Sequence, residues 1–250
     1  MPLYETESIV LKSFSLAEAD RIVVFLTQDH GLVRAVAKGA KRMKSRFGST
    51  LEPFSTVRLN YFQKEDRELV SIQDVELLSS CFHQASEPAF LQTFSYIAEL
   101  LIAFAPPHDP NETLYRMVRA CIDSGSSSEN ELASVSLYFE LWLLRLGGYL
   151  PDWTRCRECG RAFRGDEAAS LQSTFALFCV DCQKASGRTK VLPLHREMFS
   201  NVQKLSPAAF LGFAAAYPET VSEISAVMKK IAAHIIGRDV VGEKSLAVKL

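Results

Sequence analysis

The sequence predicts an α+β chain, β-rich through its first eighty residues and helical beyond them, on three observations. Short runs of Val, Ile and Leu broken by turn residues fill residues 7–75, and apolar residues at helical spacing take over near residue 80. In addition, four of the six cysteines form two Cys-x2-Cys pairs with nineteen residues between them.

Residues 7–12 and 21–27 read as the first two strands, joined through Ala17-Glu18-Ala19-Asp20, and Gln28-Asp29-His30-Gly31 closes the second. Residues 32–37 continue as a third. Alternation of apolar and polar residues marks 57–63 as a fourth, a charged turn follows over 64–68, and 69–75 is the fifth. Five short strands with one long basic connection suit a small Greek-key barrel of the oligonucleotide-binding (OB) type. Composition then changes. Over 88–105 the residues Phe90, Leu91, Phe94, Ile97, Ala98, Leu101 and Ile102 recur at helical spacing, and Pro106 and Pro107 stop the segment. A second helix is expected over 112–123, a Gly/Ser connector over 124–128, and a third helix over 131–146 ending at Gly147 and Gly148. Beyond the cysteines, helices are expected over 194–204, 207–217 and 218–236, with Ser206 as a cap and Pro207 in a first turn. The expected division is an OB domain over 1–80 and a helical domain over 81–250 that carries a metal-binding insertion at about 153–185. Phe90, Phe94, Phe139 and Trp142 fall on apolar helix faces and are assigned to packing.

Hydrophobic content of 48% and charged content of 23% exclude a disordered or collagen-like chain, and 250 residues suffice to bury a core without help from a metal. Residues 1–14 include Glu5 and Glu7 and lack the basic-then-apolar pattern of a secretory signal, and the apolar stretches are too short or too interrupted to cross a bilayer. A cytoplasmic location is expected.

The charge pattern is more informative than the charge total. With 28 basic and 29 acidic residues the net charge is −1, yet Arg34, Lys38, Lys41, Arg42, Lys44 and Arg46 fall within thirteen residues, and no acid lies between Asp29 and Glu52. Such local clustering points to a polyanion, because closely spaced cations displace condensed counterions from nucleic acid without reading its sequence. Gly39 and Gly48 inside this acid-free stretch favour a mobile loop over a helix. A solvated turn is the plainer reading of the same run.

Cys81 and Cys121 stand alone, whereas Cys156, Cys159, Cys179 and Cys182 match the two-turn spacing of a tetrahedral zinc site. Four thiolates close the coordination sphere and leave no open position, so the expected role is structural. Two disulfides or a redox-active pair are the alternatives at this spacing. Nearby Trp153, Arg155, Arg157, Arg161, Phe163 and Arg164 either extend a nucleic-acid surface or are a core residue and solvated arginines.

No catalytic residue is assigned. The sequence holds no phosphate-cradling Gly-x4-Gly-Lys-Ser/Thr loop, no Gly-x-Gly-x-x-Gly, no His-Glu-x-x-His and no Gly-x-Ser-x-Gly. The five histidines are scattered, and carboxylates such as Glu18 with Asp20, or Glu65 with Asp66, read as solubilising turn residues.

Three stretches together carry a family likeness: Ala19-Asp20-Arg21-Ile22-Val23, the run from Gly31 through Arg42, and Arg46-Phe47-Gly48 ahead of Leu51-Glu52-Pro53-Phe54. With helices and a four-cysteine module following in order, the whole chain resembles the RecO family of bacterial recombination mediators. That resemblance implies an N-terminal OB barrel and a helical C-terminal domain. It also implies binding of single- and double-stranded DNA, annealing of complementary strands, and aid to recombinase loading on strands coated by single-stranded-DNA-binding protein. The implied partners are RecR and the C-terminal tail of that coating protein. Some members lack the cysteines, which implies that zinc supports the fold. By the same resemblance the DNA-binding role falls on the basic run. Phe47, Phe54, Tyr61 and Phe62 are candidate base-stacking platforms, although strand alternation turns some of them into the core. A zinc-stabilised RNA-binding protein and a metal-dependent nuclease are the competing readings.

Overall fold

The computed structural model describes residues 2–63, 68–183 and 189–237. It divides into two compact units between Leu132 and Ala133.

The first unit is built on five strands: β1 (Leu3–Leu16), β2 (Asp20–Thr27), β3 (Gly31–Ala37), β4 (Thr56–Phe62) and β5 (Leu69–Ser79). They close into a barrel in the order β1-β2-β3-β5-β4, with β1 pairing both β2 and β4 and a single parallel pair between β3 and β5. Closure removes free sheet edges, and alternation then sorts side chains to two faces. Val10, Val23, Phe25, Val33, Ala35, Ala37, Val57, Leu59, Tyr61 and Val70 fill the interior. β1 is longer than its apolar centre because polar residues at both ends still find partners, Glu5 opposite Asn60 and Ser15 opposite Arg21. The expected turn at 64–68 lies outside the described residues except for Glu68.

Helices α1 (Phe82–Ala85), α2 (Pro88–Phe104) and α3 (Glu112–Asp123) belong to the same unit. The strands end at Ser79, close to the expected domain boundary at 80, but the compact unit runs on because these helices are tied to the barrel. Lys12 pairs with Glu99 of α2. Tyr115 of α3 donates its hydroxyl to Glu7 of β1 at 2.9 Å, and Arg119 pairs with the same carboxylate. Phe54, 2% exposed, sits against Phe90 and Phe94 of α2. Its φ of +65° is costly for a bulky residue, by about 1 kcal/mol or more, and burial of the ring offsets that strain. The connection from α2 to α3 lies across the β2–β3 turn, where His108 donates its N–H to the Leu32 carbonyl. Gly31 is required there. Its φ is +64°, and a Cβ would stand 2.3 Å from the Asp109 carbonyl oxygen. Asn111 caps α3 by accepting the Leu114 N–H at 2.9 Å.

The second unit contains most of α4 (Glu129–Leu146), a three-stranded antiparallel sheet of β6 (Ala169–Leu171), β7 (Leu177–Phe178) and β8 (Thr189–Val191) in the order β7-β6-β8, and helices α5 (Pro193–Val202), α6 (Pro207–Ala214) and α7 (Pro218–Ile236). Trp142 and Tyr138 of α4 donate to the carbonyls of Val202 and Leu205, which holds the α5–α6 connection against α4. Ser206 caps α6 with Pro207 in its first turn, and Gly237 ends α7 in the left-handed conformation. Phe90, Phe94 and Phe139 are buried, as their helical spacing predicts. Among the described residues no helix is long and apolar enough to cross a membrane.

Candidate nucleic-acid interface and metal centre

The basic run leaves β3 at Ala37 and returns to β4 at Thr56. Strand alternation sends Val33, Ala35 and Ala37 inward, so Arg34 and Lys38 project outward, and Lys41, Arg42, Lys44 and Arg46 follow on the connection. All six are exposed, and none is ion-paired among the described residues. Arg58 on β4 provides a contrast, since its charge is balanced by Glu76 directly across the strand pair at 2.5 Å.

The sequence predicts a mobile loop here; instead the connection is a chain of tight turns anchored at both ends. Ser45 donates to Arg42, Gly48 to Ser45, Thr50 to Phe47 and Ser55 to Glu52, each three residues back. Phe47 and Leu51 plunge into the barrel core at 3% and 5% exposure, so the returning half of the connection is part of the core. At the outgoing end, Asp20 accepts the Gly39 N–H at 2.7 Å and Ala19 accepts the Lys41 N–H at 2.9 Å. The β1–β2 turn therefore grips the start of the basic run. Asp20 is no mere solubilising carboxylate, a role invisible from its neighbours because its partner lies nineteen residues away. Two cations also carry structure through neutral acceptors: Lys41 donates to the Ala17 carbonyl and Arg46 to that of Ile72, with the Arg46 guanidinium 4.8 Å over the Phe47 ring. Met43 stands wholly exposed between Arg42 and Lys44.

The stacking role suggested for the barrel aromatics does not survive for three of the four. Phe47, Phe54 and Tyr61 are buried at 3%, 2% and 1% exposure, and burial together with neighbouring Tyr4 pushes the Tyr61 hydroxyl up to about 12. Only Phe62 of the four keeps partial exposure.

In the second unit, Cys156, Cys159, Cys179 and Cys182 bring their four sulfurs within 4.8 Å of one another, and all six cysteines are free thiols. The disulfide alternative is thus not realised. Each pair occupies one turn. Gly160 donates to the Cys156 carbonyl at 2.9 Å with φ +72°, and Cys182 donates to the Cys179 carbonyl at 3.2 Å. Cross-links then join the turns: the Cys179 N–H points at the Cys156 sulfur at 3.4 Å, and Arg157 donates its N–H to Leu177 at 2.9 Å. Burial opposes ionisation of Cys156, but N–H donors from Cys159, Cys179 and Glu158 outweigh it and bring that thiol down to about 6. Cys182 is held up at about 12, chiefly by hydrogen bonds in which its S–H donates to the Cys179 and Cys159 sulfurs. Four converging sulfurs with backbone donors aimed at them are a donor set able to hold a metal ion.

The surrounding arginines divide by partner. Arg161 forms paired bonds to Glu167 at 2.7 and 2.6 Å and reaches Asp181 at 3.2 Å. Glu167 also accepts the N–H groups of Arg164 and Val180, and the Arg161 guanidinium holds its carboxyl down at about 2. This one carboxylate links both cysteine turns. Trp153 is a core residue, 1% exposed and stacked on Phe199 with ring centres 5.0 Å apart. Phe163 lies under the Arg196 guanidinium, which donates to the carbonyls of Arg164 and Glu167.

Comparison with known proteins matches both halves. The family model described as recombination protein O N terminal covers residues 1–81, and that described as recombination protein O C terminal covers residues 91–239. The chain belongs to the RecO family. Among its relatives, the DNA repair protein RecO of Koribacter versatilis is 32% identical over 158 residues, 63% of this chain and 64% of that one. The RecO proteins of Syntrophotalea carbinolica and Rubrobacter xylanophilus are 32% and 33% identical over 180 and 183 residues, spanning 68% and 73% of their own lengths. The matched region thus spans just under two thirds of the Koribacter RecO protein.

Proposed function

We propose that this protein is a DNA repair and recombination mediator that works by binding, with no catalytic step of its own. It holds single- and double-stranded DNA on Arg34, Lys38, Lys41, Arg42, Lys44 and Arg46, anneals complementary strands, and with RecR assists recombinase loading onto strands coated by single-stranded-DNA-binding protein. The observation that carries this reading is the anchored turn with six exposed cations and no acidic partner among the described residues. Family membership supports it, because the relatives are named as DNA repair proteins. Complementary strands repel through their phosphates, and neutralising part of both backbones lowers the cost of their encounter. Base pairing then selects the sequence, and no nucleotide hydrolysis is needed. The tail of the coating protein is the acidic partner that the resemblance implies.

The four-cysteine centre is proposed to hold structural zinc. A tetrahedral zinc–thiolate site places its sulfurs ~3.8 Å apart, and the Cys159 and Cys179 sulfurs are 3.9 Å apart. Zinc there supplies cross-linking of the two turns and leaves no position for substrate.

The test is annealing of complementary strands coated with their single-stranded-DNA-binding protein, comparing wild type with a variant carrying Lys41→Glu, Arg42→Glu, Lys44→Glu and Arg46→Glu. Acceleration by wild type and its loss in a folded variant are expected. Annealing no faster than the uncatalysed rate with wild type would leave general nucleic-acid binding, and a preference for RNA over DNA oligonucleotides in competition would replace the mediator reading.

A further inference from the structure

The second unit contains an open cavity of about 700 Å³ against the first cysteine turn, a volume within the range of ligand sites. Arg155 and Arg157 line it from that turn, Gln172 and Thr174 from the β6–β7 turn, and Phe178 from β7. Asp152, also in the lining, is already engaged: it accepts the Thr154 N–H at 2.8 Å and the Thr154 hydroxyl at 2.6 Å. Among the described residues Arg155 has only a neutral partner, the Gly160 carbonyl at 3.3 Å. The Arg157 side chain is exposed and unpaired among the described residues, while its backbone is fixed by the bond to Leu177. Two arginines without carboxylate partners among the described residues, against the single Asp152 carboxylate, therefore line one cavity together with the half-buried Phe178. Arg161, a few residues on, shows what an arginine committed to the fold looks like, with both ends of its guanidinium held by acids.

We propose that this cavity is a second site for single-stranded DNA, in which Arg155 and Arg157 take backbone phosphates and a base lies on Phe178. The inference rests on the DNA-binding reading above and deepens it. Guanidinium forks match phosphate oxygens, and an aromatic face accepts any base, so the site binds without sequence preference. A protein that holds both strands at once shortens their search for each other, and the basic turn and this cavity belong to different compact units. A rival account assigns the two arginines to charge balance, because four thiolates around a divalent ion leave a net charge of −2 that nearby cations offset.

The experiment uses the metal-loaded full chain. Affinity for a fluorescent oligothymidylate is measured across salt for wild type, for Arg155→Ala with Arg157→Ala, and for the four-site barrel reversal, with metal content determined in each. An oligonucleotide carrying 5-iodouracil is photo-crosslinked in parallel to wild type and to Phe178→Leu. The double variant should keep its metal and lose about 1.4 from the log–log salt slope, two contacts at about 0.7 each. The wild-type adduct should map to the peptide containing Phe178 and vanish in Phe178→Leu. An unchanged slope with loss of metal would assign the arginines to charge balance and overturn the proposal. So would an unchanged slope in the double variant together with lost binding of an acidic peptide, which would make the cavity a peptide site. If the barrel reversal removes all binding and no adduct forms at Phe178, this second site alone fails; if neither variant alters DNA affinity, it is the DNA-binding reading that fails.

Discussion

The basic turn of the barrel unit and the four-cysteine module of the helical unit are both irregular, arginine-rich stretches, and they are built on opposite plans. The basic turn is held by its backbone and by Phe47 and Leu51 in the core, and it leaves its charges without acidic partners among the described residues. The cysteine module is held by side chains. Its sulfurs converge, and Glu167 gathers Arg161 and the N–H groups of Arg164 and Val180 into one network. An arginine count therefore says little about a nucleic-acid surface until partners are assigned. Where apolar anchors fix the chain, as at Phe47 and Leu51, every cation keeps its charge unpaired; where ions fix it, the arginines divide, Arg161 being held by acids while Arg155 and Arg157 have no acidic partner among the described residues.

The largest expected effect breaks the second plan. Cys156→Ser or Cys179→Ser should abolish metal retention and destabilise the helical unit by at least about 4 kcal/mol, read by elemental analysis and thermal melting. Protein purified without chelator that contains no stoichiometric zinc would remove the metal from the comparison altogether. Next in size, the four-site charge reversal should leave the protein folded with a modestly lower melting temperature, because Lys41 and Arg46 lose their bonds to the Ala17 and Ile72 carbonyls, and should flatten the salt dependence of single-strand binding by about 2.8 on the log–log slope, four contacts at about 0.7 each. A folded variant with the wild-type slope would show that the exposed charges of the turn are only solvated.

Asp20→Ala sharpens the contrast, because it removes the acceptor of the Gly39 N–H without touching a cation. Stability should fall by about 1 kcal/mol, and DNA affinity by a few fold at constant salt slope, since the same charges remain on a looser turn. A changed slope would mean that Asp20 acts by charge and not by anchoring. The smallest effect concerns pH. Arg161 holds the folded Glu167 carboxyl at about 2, below its ordinary value of 4.5, so its contribution is present above 4.5 and is lost as pH falls toward 2. The melting difference between wild type and Glu167→Gln, in samples matched for metal, should be greatest at neutral pH and narrow through that window. A difference independent of pH would assign Glu167 a purely geometric role.

Much of this was legible in the residue pattern. Helices α3 and α7 begin and end where the pattern places them, because Asn111, Pro218 and Gly237 are local signals that tertiary structure did not override. Cys-x2-Cys spacing likewise encodes a turn that needs no distant information. Strands β6, β7 and β8 were not legible, since two or three residues are too few to show a period. Neither were the partners of charged groups. Arg161 meets Asp181 twenty residues on, and Asp20 meets Gly39, so only the folded chain distinguishes a structural ion from a free one. The aromatics failed for a related reason: Phe47 and Phe54 lie in turns that read as surface, and the turns fold back to bury them.

The packing of Phe54 has a bearing on how the chain can be cut. A fragment ending after Ser79 keeps every barrel strand but loses Phe90 and Phe94, leaving Phe54 uncovered at a backbone conformation it adopts only at a cost. Glu7 loses Tyr115 and Arg119, and Leu32 loses the segment that lies across it. The strands alone would thus expose an apolar flank suited to self-association, and a well-behaved isolated barrel must carry α2 and α3 with it.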